Sequence, residues 1–256
     1  MNTRYFFGAI LTVPLLPIMY YQGRRIKRTI PRLPEAEGKL GVVSHPSDRT
    51  IRLLCMGEST MAGVGVKTQA EGIPGAIANE LSRLMQASVH WRVLAKSGYT
   101  AKTLNQKLVP KIDETPDIIA ISLGGNDAFT LNSPKKWQND IQFLINNLRA
   151  RFPDTPIAFM NMPIIKEFPA FTPTIRFVVG GLVELLGDAL AKVVAQNKGV
   201  YFSSEIMDLV IWSKRYNVKE DKSAFFSDGV HPAKLTYQVW GKDFARFIHR
   251  EIEIAR

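Results

Sequence analysis

Ile51-Arg52-Leu53-Leu54-Cys55-Met56 runs without a break into Gly57-Glu58-Ser59-Thr60, and this stretch decides how the rest of the chain is read. Five of its first six residues are apolar, with no alternation of polar positions. A short run of that kind, bounded by a turn signal, reads as a strand buried on both faces, the kind found in parallel sheets. Glycine ends the strand, and two residues later comes a serine whose hydroxyl can project from the turn. Cys55 is the chain's single cysteine. It therefore belongs to no internal disulfide or multi-cysteine metal site, and inside an apolar run it reads as a small buried hydrophobe.

Downstream the pattern repeats. Strand-like runs are expected at His90–Ala95, Asp117–Leu123, Pro156–Met162 and Val200–Phe202. Between and after them, Gly75–Gln86, Leu104–Ile112, Pro134–Phe152, Thr174–Gln196 and Ala233–Ile254 read as helices, with Gly180-Gly181 as a candidate interruption. In Pro134–Phe152, residues Trp137, Ile141, Leu144, Ile145 and Leu148 share one face. Alternating strands and helices imply right-handed crossovers and an α/β fold, with a parallel sheet of about five strands covered on both sides. Ligands of such sheets bind at the carboxyl ends of strands. Ser59, Gly98 and Asn126 each follow an expected strand at that end.

Four segments carry candidate chemistry: Gly57-Glu58-Ser59-Thr60, Ser97-Gly98-Tyr99, Gly124-Gly125-Asn126-Asp127 and Asp228-Gly229-Val230-His231-Pro232. Ser59 is a candidate nucleophile; a serine there serves equally as an ordinary helix N-cap. Met61 stands where the G-x-S-x-G nucleophile elbow has its second glycine, so that motif fits poorly. His231 is a candidate base and Asp228, three residues earlier, a candidate orienter of its ring; the bland alternative is a turn before the last helix. The Asn126 side chain and the Ser59 and Gly98 amides are candidate donors to an oxyanion. Gly-Gly-Asn-Asp by itself is also an ordinary turn. Taken together, nucleophile, base, orienter and three donors are what acyl transfer from an ester requires. His45, His90 and His249 fall in no metal-ligand spacing, and neither a complete dinucleotide fingerprint nor a Walker lysine motif is present. No metal and no cofactor is expected.

The net charge is +10 over 256 residues, of which 46% are hydrophobic and 22% charged. Residues 1–40 hold seven basic against two acidic side chains, about half the excess. No basic face with interleaved aromatics points to nucleic acid. Tyr5–Tyr21 carries no charge and is followed by Arg24, Arg25, Lys27 and Arg28. As a helix its 17 residues reach ~25 Å, slightly short of a ~30 Å hydrocarbon core. Pro14 and Pro17 suggest a kink. A single-span membrane anchor, with the large domain on the cytoplasmic side by the positive-inside rule, is the favoured expectation. A cleaved signal peptide and an interfacial helix are the alternatives. The expected organisation is an anchor with basic flank at 1–28, a proline-containing linker at 29–49 and the main domain at 50–256.

In this order the four segments resemble the SGNH (GDSL-like) hydrolases, named for the serine, glycine, asparagine and histidine of four blocks. The resemblance covers roughly residues 50–250. It implies a flavodoxin-like three-layer α/β/α sandwich and ester hydrolysis through an acyl-serine. Ser59 would be nucleophile, His231 base and Asp228 its orienter, with Gly98, Asn126 and the Ser59 amide forming the oxyanion hole. The Gly-Asp-Ser-Leu signature reads Gly-Glu-Ser-Thr here, which keeps an acid at Glu58. Phe168-Pro169-Ala170-Phe171 is similar to a segment of lysophospholipase-type members. Phe168 and Phe171, with Met160 and Met162 upstream, would line an acyl pocket or simply pack in the core. The implied substrate is a lipid or other small acyl ester, possible partners are a membrane and no nucleic acid, and protein partners are unknown. Carbohydrate acetylesterase, thioesterase and acyltransferase activities share this chemistry. A non-catalytic acyl- or glycan-binding protein is the alternative of a different class.

Overall fold

The structure, a computed structural model, describes residues 3–205, 209–216 and 222–252. Its strands are β1 (Leu40–Val43), β2 (Thr50–Gly57), β3 (Ser88–Ala95), β4 (Ile118–Ser122), β5 (Ile157–Phe159) and β6 (Val200–Phe202). Its helices are α1 (Thr3–Thr12), α2 (Leu16–Thr29), α3 (Ile73–Met85), α4 (Ala101–Lys107), α5 (Gly125–Phe129), α6 (Pro134–Arg151), α7 (Pro173–Val194), α8 (Leu209–Arg215) and α9 (Lys234–Glu251). The strands form one sheet in the order β1-β3-β2-β4-β5-β6. All pairs are parallel except β1 with β3.

The unbroken apolar runs are explained by two cores. Leu54 and Met56 of β2, with Ile119 and Ile121 of β4, face α4, α6 and α7. Ile51, Leu53 and Cys55, with Ile118 and Ala120, face α3 and α9. Successive side chains of a strand point to opposite faces, so covering both faces removes the polar positions. The α6 stripe is fully buried, and Trp137 Nε1 donates to Leu186 O of α7 at 3.0 Å. The three-layer α/β/α arrangement and the parallel core of the sheet are as expected.

Several elements differ from the sequence expectation. The sheet has a sixth strand, β1, drawn from the stretch expected to be a linker. Four residues at an edge, with Leu40 and Val42 exposed, give too short a pattern to read. Glu35, Ala36 and Glu37 of that stretch are also bound to the domain: Ala36 N donates to Ala62 O at 3.0 Å and Glu37 N to Lys67 O at 3.0 Å. Part of the expected linker is thus built into the domain. Pro110 divides the expected helix Leu104–Ile112 into α4 and a 3-10 turn at Val109–Lys111. Gly180-Gly181 does not interrupt α7; a Cβ on Gly180 would lie 2.5 Å from Lys166 Cγ, so this glycine allows a close approach. The last two residues of the expected helix Ala233–Ile254 lie outside the described residues.

At the N-terminus, α1 and α2 are joined by a 3-10 turn at Val13–Leu15 that contains Pro14. The helix Thr3–Thr29 is long and apolar enough to cross a bilayer, and none of its span is buried. It packs along α7: Tyr5, Met19 and Ile26 touch the core beneath, and Thr172 Oγ1 donates to Gln22 Oε1 at 2.6 Å.

Candidate active site

The strand order reverses at β2: the chain moves from β2 to β3 on one side, then crosses back to β4 on the other. A crevice opens at the carboxyl ends of the strands at such a switch point. Ser59 lies two residues past β2, Gly98 three past β3, and Asn126 four past β4. Topology alone therefore brings three of the four segments together.

Local geometry shapes each loop. A Cβ on Gly57 would lie 2.4 Å from Ser122 O, so only glycine lets β2 pass β4 here. No helix follows Ser59 directly. Residues 59–65 form successive turns in which Gly63 and Gly65 take φ of +69° and +106°, a region that L residues avoid. A Cβ on Gly65 would lie 2.6 Å from Ser227 Oγ, so this glycine lets the Asp228 loop close against the serine loop. Gly98 has φ +83° with open space beside it, so conformation rather than crowding calls for glycine there.

Asp228 and His231 form a compact unit. His231 Nδ1 lies 2.8 Å from Asp228 Oδ2, while Oδ1 accepts from the N–H groups of Val230 at 2.9 Å and His231 at 2.7 Å. The Asp228 side chain is 1% exposed. Burial pushes its carboxyl up, but the His231 ring and the two N–H donors outweigh burial and hold it below the usual carboxylate range. It is therefore ionised at neutral pH, and its bond to Nδ1 directs Nε2 to act as the accepting nitrogen. Gly229, at φ +83°, accepts from Ala170 N at 3.1 Å, which ties this loop to the Phe168–Phe171 segment.

Ser59, Gly98, Asn126 and His231 line one cavity of about 180 Å³. Among the described residues, the N–H groups of Ser59 and Gly98 have no protein acceptor. Ser59 is half-buried and Gly98 exposed, so both N–H groups are open to an incoming anion at the cavity wall. Asn126 Nδ2 donates to Tyr99 O at 3.1 Å, and the same side chain also interacts with the Glu58 carboxylate. Ser59 Oγ makes no hydrogen bond to the His231 ring; catalytic hydrogen bonds are commonly long before substrate binds and tighten with it.

Phe168 lines the cavity; Phe171 sits behind it, its ring centroid 5.5 Å from Phe168 and 5.3 Å from Phe129, another lining residue. Phe226 continues the wall at 5.4 Å from Phe168. Met160 is buried in the opposite core, and Met162 packs close to Gly124. The apolar wall also includes Trp240 of α9 and Trp212, the latter without a recognisable signal in the sequence.

Three acidic residues stitch the loops together. Glu58 accepts from Gly125 N at 2.7 Å and Asn126 N at 2.8 Å, tying the serine loop to the asparagine loop. Asp127 accepts from Ala101 N at 3.0 Å and Asn132 Nδ2 at 2.7 Å, tying the latter to the start of α4. Glu35 accepts from Ser97 N at 2.8 Å. Burial raises both Glu58 and Asp127; Glu58 is pushed up to about 7 although its N–H donors pull it down. The sequence showed Glu58 only as a departure from a signature, because its partners lie 67 and 68 residues away.

A family model of the GDSL-like lipase/acylhydrolases matches residues 55–239. The chain belongs to that family. A search of curated proteins found no match. Among solved structures, this GDSL-like acylhydrolase is similar to TesA, at 19% identity and TM-score 0.56 over 78% of this chain and 98% of that one. It is also similar to phospholipase A1 from Streptomyces albidoflavus NA297, at 15% identity and TM-score 0.55 over 77% and 98%. A carbohydrate esterase family 2 enzyme from Corynascus thermopiles gives 14% identity and TM-score 0.58 over 81% and 68%. At these identities the likeness is one of fold. Family membership makes the GDSL-like protein a carboxylic ester hydrolase in general and leaves its substrate open.

Proposed function

We propose that this GDSL-like acylhydrolase cleaves lipid or other small acyl esters through an acyl-serine intermediate, with Ser59 as nucleophile, His231 as base and Asp228 as orienter. One observation carries the reading: four remote segments supply a hydroxyl, an imidazole held by a buried carboxylate, and two unengaged N–H groups to a single cavity. As Ser59 Oγ attacks the ester carbonyl, its proton passes to His231 Nε2. The carbonyl oxygen becomes an oxyanion held by the Ser59 and Gly98 N–H groups and Asn126 Nδ2. The imidazolium, stabilised by Asp228, then gives its proton to the departing alcohol. Water repeats the sequence, releasing the acid and restoring Ser59. The apolar wall of Phe129, Phe168 and Phe226 supports an acyl chain as the group bound. The N-terminal helix supports attachment to a membrane from which a lipid ester is drawn.

An organophosphonate that reacts only with activated serines tests this assignment. Mass spectrometry is expected to find the adduct on the peptide bearing Ser59, and His231→Ala is expected to suppress it. An adduct on another serine, or undiminished labelling of His231→Ala, would overturn the proposed mechanism.

A further inference from the structure

The N-terminal helix is packed too regularly to be a mere tether. Tyr5, Ala9, Thr12, Leu15, Met19 and Gln22 are partly covered, at spacings of 4, 3, 3, 4 and 3 residues. That is one face of a helix, and it lies against α7. It is joined to α7 at two further points: Gln22 accepts from Thr172 at the start of α7, and Arg4 pairs with Asp188 at 3.8 Å. The opposite face holds Phe6, Phe7, Ile10, Val13 and Tyr21, between 43% and 71% exposed. Beyond them come the exposed Arg24, Arg25, Lys27 and Arg28.

Crossing a bilayer and staying docked on α7 exclude one another. A spanning helix would have to leave α7, or take the exposed Glu184 and Asp188 of α7 into hydrocarbon, where charges are costly. The charge-free run is itself short for a span and is broken at Pro14. A helix covered on one side, apolar on the other and basic at one end has what an interfacial element needs.

We infer that the helix Thr3–Thr29 remains docked on α7 and lies flat on the surface of an anionic phospholipid bilayer, its outer face against the lipid. The inference rests on the proposed membrane attachment and specifies its geometry. Its consequence for the site is direct. Thr172, which holds Gln22, follows Phe171, and the Phe171 ring packs on the cavity-lining Phe129 and Phe168. The docked helix thus reaches the cavity wall through Thr172 and Phe171.

The test uses the full chain with vesicles of phosphatidylcholine, with and without phosphatidylglycerol. None of the three readouts depends on ester turnover, so the outcome is separate from the fate of the proposed mechanism. Cys55 is fully buried, so an introduced cysteine can be labelled selectively. Binding should strengthen roughly tenfold or more with the anionic lipid and weaken with salt. Fluorophores on Phe6→Cys, Val13→Cys and Tyr21→Cys should all report the same shallow depth by brominated-lipid quenching. A short bis-maleimide should join Gln22→Cys to Thr172→Cys as well on vesicles as in solution. Deep burial of position 13 between shallow ends, or loss of crosslinking while the protein stays bound, would show a spanning helix and overturn the inference. Absence of vesicle binding, or concentration-dependent self-association that covers the three labels instead, would overturn it as well.

Discussion

Glu58 is the residue where chemistry and architecture meet. Each of its carboxylate oxygens accepts one backbone N–H of the Gly125-Asn126 pair, so ionisation is what allows both bonds. Burial places its proton equilibrium at about 7. The ionised, doubly accepting form prevails above that pH and is lost below it. An imidazole base also needs to be neutral, so activity should fall on acidification more steeply than one proton allows. Glu58→Gln turns one acceptor into a donor facing a donor. It should lower kcat by about 10- to 100-fold with little change in KM, within the ~3 kcal/mol that a lost oxyanion donor can cost. Its acid limb should fall to single-proton steepness, as a kcat profile from pH 5 to 9 would show. Stability carries the opposite sign. A carboxyl raised in the folded state binds its proton more tightly there than in the unfolded chain, so this group favours folding more at pH 5 than at pH 8. This interaction is hidden in the sequence, as is the pairing of Asn126 with Tyr99. Ser59, Gly98, Asn126, Asp228 and His231 stand out as candidates only because four segments, each ordinary alone, occur together in one order; Glu58, Asp127 and Glu35 act through backbone groups far away in sequence.

At the scale of elements, the loops are held by close approaches that glycine permits. Gly229 has φ +83°, and a Cβ there would lie 3.0 Å from the Ala170 Cβ. Gly229→Ala should therefore cost about 1–2 kcal/mol for the left-handed backbone, with any contact strain added. It should also shift the Asp228–His231 unit, lowering the urea midpoint and kcat together; a variant with unchanged midpoint would show that the contact relaxes freely. The central strands and α6 were legible because their apolar runs and stripes are long and one kind of packing explains them. The edge strand β1 was not. It gains its order from pairing with β3, and its own four residues show only weak contrast between exposed and covered positions. Of the helix breaks, the one at Pro14 matches the expected kink, the one at Pro110 falls inside an expected helix, and Gly180-Gly181 reads as a break and serves as a contact.

For the whole molecule, the apolar run and about half of the basic excess lie at one end and the candidate catalytic segments in the rest, so the proposed membrane attachment and the proposed catalysis should separate on truncation. Removing residues 1–28 should release the protein from membranes into the supernatant after ultracentrifugation while p-nitrophenyl acetate turnover survives. Tyr5, Met19 and Ile26 cover part of the core under α7, so the truncated protein should also melt at a lower temperature. Continued sedimentation with membranes would point to a second attachment surface.

The most direct measurement of the catalytic account is p-nitrophenyl butyrate turnover by Ser59→Ala, made alongside circular dichroism of the same preparation. The account predicts a folded protein with wild-type spectrum and no hydrolysis above the spontaneous rate. A folded Ser59→Ala protein that turns over the ester at the wild-type rate would contradict it.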